Sequence, residues 1–259
     1  MKHTKAYENL EFLGSESARP VRILCEYEEP RQRLARTGAT QAIAFFGSAR
    51  VKPHAQIPGA TGRDIYGEAA DLAEKLARWI VETRPGKQRL HLCTGGGDGL
   101  MRAVHEGAAR VDRSLNIGLN ISLPMEQTAN DFVDADGAYE FHYFFMRKFW
   151  FVNLAEAFVV FPGGVGTLDE VFEVLTLTQT GKIKPRPILL YDAGFWSATV
   201  NFGELARRGF ISPEDFSLFR VVDTVDEAYK VLTEALAGLK PAGPEALDTP
   251  LEPGQRPGA

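Results

Sequence analysis

Along residues 41–236, short apolar runs alternate with longer stretches in which apolar residues return every three or four positions. That alternation predicts repeated β–α units and a largely parallel sheet. The runs at 42–46, 89–93, 116–121, 157–161, 187–191 and 219–222 are short and rich in β-branched, Leu or Phe residues, and they are the expected strands. Between the first two, Ile65, Ala69, Leu72, Leu76 and Trp79 fall at i, i+4, i+7, i+11 and i+14, which is one face of a helix. Pro85–Gly86 should stop it. Further helices are expected after Gly99, after Thr167, across 196–208 and over 224–236, each long enough to carry the crossover that a parallel pair of strands needs.

The ends of the chain read differently. The charged stretch 26–36 predicts an amphipathic helix outside the sheet, an appendage or interface element that places residues 1–40 as an N-terminal helical extension. Residues 239–259 are crowded with Pro and Gly and have few large apolar side chains, so a disordered tail is expected there. The fold expected is a single α/β domain over 41–238, with a doubly wound, mostly parallel sheet.

Composition narrows the function. The chain of 259 residues carries 29 Lys and Arg against 34 Asp and Glu, a net charge of −5, which disfavours nucleic-acid polymers and anionic membranes as partners. Cys25 and Cys93 follow neither metal-ligand nor Cys-x-x-Cys spacing, so two free thiols in a reducing cytoplasm are expected. No run of about 18 apolar residues occurs, and MKHTKAYENLEF lacks the apolar stretch of a signal peptide. The five histidines show no metal-ligand spacing: His105–Glu106 opens like a zinc-protease helix, but Ala109 stands where the second His belongs.

Three glycine-bearing loops follow expected strands at their carboxyl ends: FGSAR (46–50, with Ser48), TGGGDGLM (94–101, with Gly95, Gly96 and Gly97) and PGGVGTLDE (162–170, with Gly163, Gly164 and Gly166). Ligands of open parallel sheets bind outside those strand ends, so the loops should converge. The second and third lead into helices, and backbone amides at a helix start favour a phosphate; tight β–α turns would equally call for glycine. No Gly-x-Gly-x-x-Gly fingerprint, P-loop or Gly-x-Ser-x-Gly elbow is present. Glu170 has two readings. Thr167-Leu-Asp-Glu170 satisfies the capping-box spacing, and the same carboxylate would lie a helical turn from a bound phosphate, within reach of an attached ribose. Arg147 and Lys148 stand in the aromatic segment FHYFFMRKFWF, where two cations either reach out to solvent or meet an anion.

Together, TGGGDGLM, EFHYFFMRK and PGGVGTLDE resemble the LOG family of cytokinin riboside 5′-monophosphate phosphoribohydrolases, long mislabelled lysine decarboxylases. The resemblance runs from about residue 12 to 222 and includes RPVRILCEYEEP, FFGSAR, IGLNISLPMEQ and LTLTQTGKIKP. It fits the longer bacterial branch: plant-type members carry an extra residue in the triple-glycine loop and a Gly after Leu-Met, where Arg102 stands here.

The resemblance implies a Rossmann-like homodimer or higher oligomer that hydrolyses the N-glycosidic bond of a nucleoside 5′-monophosphate, AMP or an N6-modified adenine nucleotide, with no cofactor. It places the catalytic pair on Arg147 and Glu170, and substrate contacts on Gly164 to Thr167, Lys148, Thr176 and Glu126. The amides of the other glycine loops and Ser48 complete the expected binding set. A pyridoxal-phosphate decarboxylase needs a Schiff-base Lys in a cofactor motif, and none is recognisable. Two rivals remain at this stage: a salvage nucleosidase of broad base scope, and a non-catalytic carrier of a nucleotide or molybdenum cofactor, which would need no Arg147–Glu170 pair.

Overall fold

The computed structural model describes residues 4–53, 62–86, 89–123, 129–248 and 254. Among them, the chain runs α1 (Leu10–Gly14), α2 (Arg19–Thr37), β1 (Gln41–Phe46), α3 (Ile65–Thr83), β2 (Leu90–Thr94), α4 (Leu100–Ala109), β3 (Asn116–Ile121), β4 (Ala138–Phe141), α5 (Phe144–Leu154), β5 (Ala155–Val160), α6 (Val165–Gln179), β6 (Ile188–Tyr191), α7 (Ala193–Thr199), α8 (Phe202–Arg207), β7 (Arg220–Val222) and α9 (Val225–Leu236). The strands form one sheet of order β4-β3-β2-β1-β5-β6-β7, and every pairing is parallel. The chain winds outward from β1 to β4, returns to the other side of β1 and winds outward again. The reversal lies between β1 and β5, where this doubly wound, Rossmann-like α/β fold opens a crevice at the carboxyl ends.

Alternation along β1 divides the core. Ile43 and Phe45 join α3, α4 and α9 on one face, while Ala42, Ala44 and Phe46 join α2, α5 and α6 on the other. The expected stripe of α3 is buried at Ile65, Ala69, Leu72 and Leu76, with Trp79 partly buried at its edge. Asp64 caps this helix by accepting from the Gly67 amide at 2.9 Å.

Several elements differ from expectation. β4 has no counterpart in the sequence reading; it is a four-residue edge strand interrupted by exposed Glu140, too short for a clear alternation. The helix expected across 196–208 is two helices, α7 and α8, because Val200 is extended and Asn201 starts a new helix by accepting from the Glu204 amide at 2.8 Å. α2 is longer than 26–36 and belongs to the core: Pro20 stands at its start, Leu34 is fully buried and Trp150 Nε1 donates to the Glu26 carbonyl at 3.0 Å. The segment expected to be disordered holds structure as far as Asp248. Leu247 sits in the core at 2% exposure, and Asp248 accepts from Arg31 at 3.0 Å. Thr40 Oγ1 also donates to Ala242 O at 2.7 Å and the Ala242 amide to Gln41 Oε1 at 3.2 Å, so the stretch is docked at both ends. No helix among the described residues is long and apolar enough to cross a membrane. Both cysteines are free thiols, Cys25 exposed and Cys93 buried.

Candidate functional site

The three glycine loops meet because β2, β1 and β5 are neighbours. Backbone bonds join them: Phe161 N–H donates to Phe46 O at 2.9 Å, Ser48 N–H to Pro162 O at 3.1 Å and Leu100 N–H to Ser48 O at 3.0 Å. Gly99 has φ +67°, and a Cβ there would stand 2.3 Å from the Ser48 carbonyl oxygen, so only glycine lets the second loop lie against the first. Gly96, at φ +72°, is equally restricted: its Cβ would lie 1.6 Å from Asn120 Oδ1.

α6 opens toward this crevice without a side-chain cap. Its N-cap is Gly164, and Leu168 N–H to Gly164 O is the first helical bond, so the amides of Val165, Gly166 and Thr167 precede the ladder. A Cβ at Gly164 or Gly166 would meet nothing within 4 Å, so the turn that starts the helix has open space at both glycines. This is an anion-favouring helix terminus. At α4 the first amide is already taken by the Ser48 carbonyl. Ser48 Oγ turns back to accept from the Arg50 amide at 3.1 Å.

The capping-box reading of Thr167 and Glu170 is overturned. Thr167 is inside α6, buried, with its hydroxyl against Gly163, and Glu170 lies one and a half turns into the helix. Instead, Arg147 Nη2 from α5 donates to Glu170 Oε1 at 3.0 Å, and the two side chains are 10% and 14% exposed. The Arg147 guanidinium lies 5.3 Å from the Phe144 ring centre and 5.7 Å from that of Phe151. Its Nη1 comes near Gly95 of the second loop. Burial pushes the Glu170 carboxyl from an ordinary 4.5 to about 7, against the pull of Arg147. The site therefore holds a carboxyl group that changes charge near neutrality beside a buried cation.

Thr176 stands further along α6, and Lys148 reaches the same face from α5. Lys148 Nζ pairs with Asp169 at 2.8 Å and Glu173 at 3.1 Å, and with exposed Thr176 it borders an open groove that includes Phe172 and Val165. The structure thus brings Arg147, Glu170, Gly95 and the start of α6 together, and sets Lys148 and Thr176 on an adjoining face. Glu126 lies outside the described residues.

One group of residues escaped the sequence reading. Asn130 Nδ2 reaches Gly96 O, Gly97 O and His105 Nδ1, each at 3.0 Å, and its backbone N–H donates to Gly96 O at 2.8 Å. His105 Nε2 meets Ile117 O at 3.1 Å and Thr94 Oγ1 at 3.2 Å, and Thr94 Oγ1 accepts from the Gly96 amide at 2.9 Å. Because Ile117 O can only accept, Nε2 carries the proton and Nδ1 accepts from Asn130. Burial lowers the His105 pKa to about 4, so the ring stays neutral and the network stays intact across physiological pH. The only local signal was a failed zinc motif; His105 lies 11 residues from Thr94 and 25 from Asn130. Asn130→Ala should leave the Gly97 carbonyl and His105 Nδ1 short of a donor, while Gly96 O keeps the backbone N–H, and cost about 1–3 kcal/mol, read as a lower midpoint in chemical unfolding. An unchanged midpoint would show that the loop does not depend on this side chain.

Comparison with known proteins supplies the relatives. A family model described as "Possible lysine decarboxylase" matches residues 101–232, about half of the chain. The cytokinin riboside 5′-monophosphate phosphoribohydrolase LOG3 of Arabidopsis thaliana is 32% identical over 180 residues, covering 66% of this chain and 76% of that one. LOG7 of the same plant is 35% identical over 155 residues, covering 57% and 64%. Among solved structures, the molybdenum cofactor binding protein of Rippkaea orientalis superposes with a TM-score of 0.51 at 17% identity over 75% of this chain and 96% of its own, a likeness of fold.

Proposed function

The chain belongs to the LOG family, the group carried under the description of possible lysine decarboxylases, and from that membership we propose that it hydrolyses the N-glycosidic bond of a nucleoside 5′-monophosphate. AMP or an N6-modified adenine nucleotide is the substrate proposed, and free base and ribose 5-phosphate are the products. The observation that carries this reading is the buried Arg147–Glu170 pair beside an uncapped helix start. The amides of Val165 to Thr167 receive the 5′-phosphate. Glu170 lies about 4.5–7.5 Å further along the helix than these amides by its rise per residue, a reach comparable with that across a ribose.

Cleavage passes through an oxocarbenium-like state, and a carboxylate next to the anomeric carbon is stabilising there more than in the ground state. Ionised Glu170 supplies that charge and takes a proton from the attacking water as the water oxygen bonds to the anomeric carbon; the bond to the base breaks, its electron pair leaves with the base, and the base takes up a proton from solvent. Arg147 holds the carboxylate, and its Nε, which has no hydrogen-bond partner, remains as a donor for substrate. Phosphate binding positions the ribose, so a nucleoside without phosphate reacts poorly.

The residues do not fit pyridoxal-phosphate chemistry at this site. Lys148, the lysine that borders it, is held between two carboxylates that raise its pKa against the opposing effect of burial, whereas a Schiff-base lysine needs an accessible neutral amine. Incubation of the pure protein with AMP, GMP, CMP and isopentenyladenosine monophosphate, with chromatography for free base, tests the proposal. Base release from at least one monophosphate, and little from the matching nucleoside, is expected. Binding without release, at high protein concentration, would replace the hydrolase with a carrier.

A further inference from the structure

The opposite edge of the sheet holds a second concavity. At the amino ends of β2, β3 and β4, a cavity of about 420 Å3 opens between the strands and the end of α2. It is bordered by His91, Asn116 and Tyr139, at 5%, 2% and 2% exposure. Each carries a buried polar atom, His91 Nδ1, Asn116 Oδ1 and Tyr139 Oη, that has no hydrogen-bond partner. Buried polar groups are rarely left unpaired, and three around one cavity mark a place where a ligand completes the bonding. Asn116 Nδ2 is already engaged with His105 O and Phe132 O, so its Oδ1 can only accept, and a ligand must bring a donor.

The rim adds charge. Arg36, Arg89 and Arg113 border the same cavity, against Asp134 and Asp136. Burial keeps His91 neutral, with a pKa lowered to about 4, and keeps the Tyr139 hydroxyl protonated, with a pKa near 12. The Arg36–Asp136 pair is 3.6 Å apart and mostly exposed, and Arg113–Asp134, at 2.5 Å, is half exposed. Such surface pairs hold little net free energy, so Arg36 can turn to a better anion, while Arg113 is also held by the Asp131 carbonyl. Arg89, at 16% exposure and bonded to Asp112 and Ser114, forms the fixed part of the rim.

We propose that this amino-edge cavity is a second binding site for a small hydroxyl-bearing phosphate monoester of the sugar-phosphate class, separate from the crevice at the carboxyl edge. The phosphate faces the three arginines, and sugar hydroxyls donate to Asn116 Oδ1 and accept from Tyr139 Oη.

D-Ribose 5-phosphate is the probe, and imidazole 15N NMR separates the two sites. His91 borders the amino-edge cavity, while His105 lies beneath the loops of the carboxyl edge. Titration should shift the His91 resonance saturably, and ribose alone or inorganic phosphate should bind at least tenfold more weakly. Tyr139→Phe removes a buried hydroxyl that has no close hydrogen-bond partner beside the Thr37 side chain, so it should retain the melting temperature and weaken the probe at least fivefold at His91. Arg89→Met should weaken it at least tenfold. A His91 signal unmoved at 10 mM probe would overturn the proposal, as would unchanged affinity in both variants. Equal binding of inorganic phosphate would overturn the sugar-phosphate class. None of these outcomes depends on whether the carboxyl-edge site releases base from a nucleotide.

Discussion

Glu170→Gln should reduce base release from a nucleoside monophosphate by a factor on the order of a thousand while leaving the fold and phosphate binding in place. The substitution keeps the shape of the side chain and an amide oxygen that can accept from Arg147 Nη2, now 3.0 Å from Oε1. What it removes is the negative charge, and that charge matters only where positive charge grows on the ribose. The amides of Val165 to Thr167 lie about one to one and a half turns before Glu170 and are unaffected, so binding of ribose 5-phosphate at this site should change less than threefold. Turnover, calorimetric binding and a melting curve on the same preparation distinguish the outcomes. If the rate persists while melting falls, Glu170 is a structural partner of Arg147 and the chemistry lies elsewhere. If the rate and the phosphate affinity fall together, the side chain helps shape the binding site.

Much of this geometry was legible because it rests on local rules. Short apolar runs separated by amphipathic helices specify parallel strands, and glycines after strand ends specify loops that admit a ligand, so convergence of the three loops followed from strand adjacency. Other features depend on contacts between distant residues. The spacing from Thr167 to Glu170 fits a capping box, but the turn at Gly163 and Gly164 starts α6 two residues before Thr167, and this moves Glu170 from the helix end to the face that meets α5. Likewise Asn130, His105 and Thr94 support the triple-glycine loop from three separate segments, and no periodicity ties them together. β4 is visible only through its pairing with β3, from Gly118–Ala138 to Ile121–Phe141.

The same burial that places Glu170 beside Arg147 should make stability and activity respond to pH in opposite directions. With its pKa raised from 4.5 to about 7, the native carboxyl retains a proton that the unfolded chain releases, so folding stability falls as pH rises across that interval. The shift corresponds to about 3 kcal/mol at about 1.4 kcal/mol per pKa unit, fully expressed above pH 7 and absent below about 4.5. Glu170→Gln lacks this titration. Urea unfolding of both proteins at intervals from pH 4.5 to 8 should show the wild-type chain losing stability relative to the variant by about that amount, whatever offset the lost ion pair adds at every pH. Over the same interval kcat of the wild-type protein should rise with a midpoint near 7, because the ionised form stabilises the oxocarbenium-like state and accepts the proton from water. Parallel unfolding profiles would mean that Arg147 holds Glu170 ionised throughout. A kcat that falls through neutrality would instead assign the protonated carboxyl the working role, as an acid toward the departing base.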